Sequence, residues 1–97
     1  MNGTENEAGA YFGNKRYHKT FIYDNIYLVP NTNAVLATNF EIRYGKAVGV
    51  NCFIVSNNGA WSNDIKVYIL SDGTLAVRSA TMGNSNFAIV LDIYYVK

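Results

Sequence analysis

The last eleven residues of the chain alternate more strictly than any other stretch. Phe87, Ile89, Leu91, Ile93 and Tyr95 fall at period two, with Ala88, Val90, Asp92, Tyr94 and Val96 between them. A strand turns successive side chains to opposite faces, so this spacing predicts a β-strand with one wholly apolar face. Its other face is half apolar. That leaves two readings open: a strand central to one sandwich, or a strand whose second face meets another subunit.

The same period recurs upstream. Tyr17, Lys19, Phe21 and Tyr23 share one predicted face, with His18, Thr20 and Ile22 on the other. Asp24-Asn25 breaks that run, Ile26–Val29 makes a short strand ended by Pro30, and Asn31-Thr32-Asn33 makes a turn. Ala34–Thr38, about Ala47 to Val55, Ile65–Leu70 and Leu75–Ser79 complete the strands. Gly45 and Gly49 mark a bend or bulge. Gly13-Asn14 and Ser71-Asp72-Gly73-Thr74 give hairpin turns. No window carries helical periodicity with caps. Short strands at this spacing predict an all-β fold, an antiparallel β-sandwich, jelly-roll-like, of about seven to eight strands. Residues 1–10 are polar, contain glycine and have no period. They predict a flexible N-terminal tail before a single domain at 11–97.

Size and charge narrow the function. At 97 residues the chain holds one core rather than two lobes around a cleft. Eight Lys and Arg against seven Asp and Glu give a net charge of +1, with only 15% charged residues. A nucleic-acid binder would show a basic face, and none is evident, so nucleic acid is not an expected partner. No apolar run approaches the ~20 residues of a membrane helix, and Met1–Ala10 has no apolar signal core. Membrane insertion and a signal peptide are therefore not expected. A single cysteine, Cys52, allows no internal disulfide.

Catalytic signatures are sparse. His18, the one histidine, has no Ser, Cys or Asp near it in sequence, and one His with one Cys fits no zinc site. Asp64, Asp72 and Asp92 are the carboxylates that a small glycosidase would need, but Asp64 and Asp72 occupy ordinary turn positions. Asn57, Asn58, Asn63 and Asp64 lack EF-hand spacing. The expectation is no enzyme, no metal and no cofactor.

The segment 57–64 has recognition character. Trp61, the single tryptophan, stands among Asn58, Asn63 and Asp64. A flat ring flanked by amides and a carboxylate suits a neutral sugar, whose C–H face stacks while its hydroxyls find polar partners. Trp61, Asn58, Asn63 and Asp64 are the candidate ligand-binding residues. The competing reading has Trp61 folded back to cap an open end of the sandwich.

Tyr11–Tyr23 (Tyr-Phe-Gly-Asn-Lys-Arg-Tyr-His-Lys-Thr-Phe-Ile-Tyr) resembles an opening found in bacteriophage tail proteins. The strand, Asp72-Gly73 turn, strand, loop and final strand ending in Tyr95-Val96-Lys97 resemble tail-fibre and receptor-binding tip modules. The resemblance spans Tyr11–Lys97. It departs from the pattern in lacking a proline after the opening glycine and in its shorter middle loop. It implies a homotrimeric β-sandwich made in the bacterial cytoplasm and carried on the virion, attaching to a host-surface glycan. The alternative it implies is a capsid or tail accessory protein, of head-fibre or cement type, whose partners are other virion proteins.

Overall fold

The computed structural model describes residues 3–56, 59–61, 65–81 and 84–97. They form eight strands: β1 (Asn6–Tyr11), β2 (Asn14–Leu28), β3 (Ala34–Ala37), β4 (Ala47–Ser56), β5 (Gly59–Trp61), β6 (Ile65–Ile69), β7 (Leu75–Ser79) and β8 (Ser85–Tyr95). Among the described residues there is no helix, and so none long and apolar enough to cross a membrane. Two antiparallel sheets result, one in the order β1-β2-β8-β4-β5 and one in the order β3-β7-β6. This is the all-β, sandwich-like architecture that period-two alternation dictates.

β8 lies at the centre of the larger sheet, between β2 and β4. Register sets Phe21, Leu91 and Cys52 side by side across β2, β8 and β4, with Tyr23, Ile89 and Ile54 in the next row. Phe21, Ile54, Ile89, Leu91 and Ile93 are completely buried. Leu75 and Val77 of β7 close the core from the smaller sheet. Fully burying one such side chain is worth about 1.5–3 kcal/mol.

The segment 38–46 contributes to the core without being a strand. Phe40 and Ile42 are buried, and the Phe40 ring meets Phe21 edge-on at 4.9 Å between centroids. Between them Glu41 reaches outward, where its Oε2 accepts a hydrogen bond from Lys19 Nζ at 2.7 Å. That pair explains how Lys19 shares a face with Phe21: its ammonium leaves the core at the rim. The segment is pinned to the β6–β7 hairpin, since Phe40 N donates to Gly73 O at 2.8 Å. Gly73 has φ +91°, and a Cβ there would lie 2.6 Å from an Arg43 guanidinium nitrogen.

Four local features differ from the sequence expectation. Residues 6–10, expected as part of a tail, join Tyr11 in β1, hydrogen-bonded to the edge of β2. Backbone pairing holds them without an apolar period, which is why no pattern announced them. The first turn is Phe12-Gly13 rather than Gly13-Asn14, because Tyr11 pairs with Asn14; both turn residues have positive φ, as a two-residue hairpin of this hand requires. Asp24-Asn25 does not end a strand. It is a bulge within a single 15-residue β2, with Asn25 at φ 61° and pairing to β8 resumed at Ile26. The expected loop after Ser56 contains the short strand β5, in which Trp61 pairs with Ile54.

Candidate functional site

The larger sheet has an inner face, covered by the smaller sheet, and an outer face. Even-numbered residues of β2 as far as Ile22, ahead of its bulge, and of β8 point outward, and register aligns them in rows with odd-numbered residues of β4. Ile22, Val90 and Phe53 form one row, with Ala88 and Val55 extending it. These five apolar side chains are all half-buried.

The next row is polar: Thr20, Asp92 and Asn51. Thr20 Oγ1 donates to Asp92 Oδ1 at 2.6 Å, and His18 Nε2 lies 3.5 Å from the same oxygen. Beyond it, the His18 ring packs on Tyr94 at 4.7 Å between centroids, and the Arg16 guanidinium lies 4.8 Å from the Tyr94 centroid. Arg16 is itself anchored by donating from Nε to Ala8 O at 2.7 Å. Gly49 sits opposite Tyr94, where a Cβ would make ordinary van der Waals contact with Tyr94 Cβ at 3.6 Å.

The geometry of this face differs from that of a hydroxyl nucleophile activated by histidine. In a nucleophile–base–orienter set the hydroxyl would face the histidine. Here the Thr20 hydroxyl faces Asp92, so the carboxylate orients both neighbours and no nucleophile is activated. Alternation in the sequence already set His18, Thr20 and Ile22 on one face. Their meeting with Asp92 was not legible, because 72 residues separate Thr20 from it.

A second polar cluster closes one end of the sandwich. The Tyr95 hydroxyl donates to Glu5 Oε1, and Lys97 Nζ donates to Glu5 Oε2 at 3.0 Å. The Tyr95 hydrogen bond, and then Lys97, hold the Glu5 carboxyl below its ordinary value. Burial, and then the Glu5 carboxylate, push the Tyr95 phenol up. At the opposite edge Val50, Asn51, Cys52, Phe53, Ile65 and Val67 line a slot of about 340 Å³ between β4 and β6. Burial raises the Cys52 thiol there to about 12, which leaves it a poor nucleophile.

Of the ligand residues expected from sequence, Asn58, Asn63 and Asp64 lie outside the described residues. The backbone of Trp61 lies in β5, at the rim of the larger sheet. Among the described residues no three His, Cys, Asp or Glu side chains gather as a metal would require. Compared with family models, curated proteins and solved structures, the chain matches none.

Proposed function

We propose that the chain is a non-enzymatic structural module that assembles through the outer face of its five-stranded sheet, with a second copy of itself as partner. Self-assembly fits both roles expected from the tail-module resemblance, the virion accessory protein and the glycan adhesin. One observation carries the reading: the half-buried apolar row Ile22, Val90, Phe53, Val55 and Ala88 crosses three adjacent strands. Contiguous apolar surface of this kind marks association sites. The low charge of the chain suits it, since two copies meet without strong repulsion.

Light scattering on the full chain tests this. The expected mass is a multiple of 10.8 kDa, a trimer being the multiple that the resemblance implies. Phe53→Lys should return the mass to that of one chain while the circular dichroism stays unchanged. A wild-type monomer at every concentration overturns self-assembly.

The glycan reading is the second. It is supported by the position of β5, which carries Trp61, at the rim of the larger sheet. Loss of glycan-array binding in Trp61→Ala would favour it, and unchanged binding would remove Trp61 from the account.

A further inference from the structure

The outer face of the smaller sheet carries a different kind of surface. Lys66 of β6 and Arg78 of β7 are register partners, and Tyr68 pairs with Ala76 in the next row on the same face. Directly opposed residues in an antiparallel pair have Cβ atoms about 4.5–5.5 Å apart, and like charges so placed are destabilising. The fold nevertheless sets two cations side by side. Asn31 is brought up to them by the turn after β2, its backbone N donating to Ser79 O at 2.7 Å. Asn31, Lys66, Tyr68, Arg78 and Ala80 line a concavity of about 250 Å³.

Among the described residues no carboxylate neutralises these cations. Glu5 pairs with Lys97, Glu7 with Lys15, Glu41 with Lys19 and Asp92 with His18. Asp72 accepts from the backbone of Thr74 in its own turn. Asp24 sits in the β2 bulge, on the other sheet. Asp64 lies outside the described residues.

We propose that this concavity binds a phosphate or sulfate group, with Arg78 and Lys66 as its principal ligands. A guanidinium fork engages two oxygens of such a group, and an ammonium beside it supplies a second, point-like charge. The Tyr68 hydroxyl and the Asn31 amide add neutral donors at the rim. A bound dianion also removes the repulsion that the cross-strand cation pair builds into the empty site. The shared chemistry covers a free inorganic ion and the same group carried on a polymer. The site lies on the sheet opposite the proposed assembly face, so either proposal can fail alone.

The test is a titration of the ¹⁵N-labelled full chain with inorganic phosphate, read by NMR at constant ionic strength. Saturable shifts should gather at Asn31, Lys66, Tyr68 and Arg78. Lys66→Gln and Arg78→Gln should each weaken binding about tenfold or more, with the fold retained because each substitution relieves a like-charge pair. Sulfated polysaccharide is the second probe. Binding that phosphate displaces and both variants lose assigns the group to a polymer, whereas saturation by phosphate with no polysaccharide binding assigns a free ion. Shifts scattered over the surface, absent shifts, or unchanged affinity in both variants overturn the site.

Discussion

The two faces of β8 come from one strand and one alternating pattern, yet they have different fates. Ile89, Leu91 and Ile93 are fully buried, whereas Ala88, Val90 and Asp92, interleaved with them, are only half-buried. Val90 is as apolar as many core residues. What separates it from Leu91 is that β7 and the 38–46 segment pack on one side of the sheet. Hydropathy made both faces eligible for burial, and packing chose between them.

The sharpest way to break this comparison is truncation on each side. Leu91→Ala should destabilise the fold by about 2–5 kcal/mol, because it leaves a cavity in a close-packed core. Val90→Ala should cost less than ~1 kcal/mol under conditions that keep the chain monomeric. Denaturant unfolding of the two variants reads the difference. Equal losses would mean that the outer face is also a core.

Gly73→Ala probes what holds the 38–46 segment over the inner face. The residue must take a positive φ, and the added Cβ collides with the Arg43 guanidinium. A loss of more than ~1 kcal/mol is expected from the backbone alone. Arg43→Ala in the same background should recover only the steric part, and thermal melts of the single and double variants separate the two.

Cys52 reports on the inner face without altering it. With its thiol raised to about 12 and the side chain buried, it should react with a maleimide at pH 8 only as fast as the fold opens. Modification at the rate of a free thiol would show that the slot between β4 and β6 is open.

The smallest effect concerns Glu5, just ahead of β1. The Glu5 carboxyl is held below its ordinary 4.5, so its stabilising contribution is complete above that value and is lost as pH falls through the lower folded value. Glu5→Gln should therefore flatten the acid limb of a melting-temperature profile below pH 4.5 and leave the slope above it unchanged.

Much of this was legible beforehand. Period two placed Phe21 and Leu91 on buried faces, and Asp72-Gly73 fixed the β6–β7 turn. The faces of His18, Thr20 and Ile22 were readable for the same reason. Three kinds of information were not. β1 forms by backbone pairing, which leaves no trace in side-chain pattern. Asp24-Asn25 has the composition of a turn, yet β8 pairs on both sides of it and converts it to a bulge. The meeting of Thr20 and His18 with Asp92, and of Lys66 with Arg78, depends on register between strands.

By itself, then, the sequence determined local matters: where the strands run, which residues share a face, and where tight turns fall. These follow from the geometry of a pleated chain acting over a few residues. Only the tertiary structure decided that β8 lies between β2 and β4, that Phe40 and Ile42 fill the core from outside any strand, and that Val90 is only half-buried where Leu91 is fully buried. Those outcomes arise from competition among distant segments for the same buried surface, and no stretch of the chain encodes that competition alone.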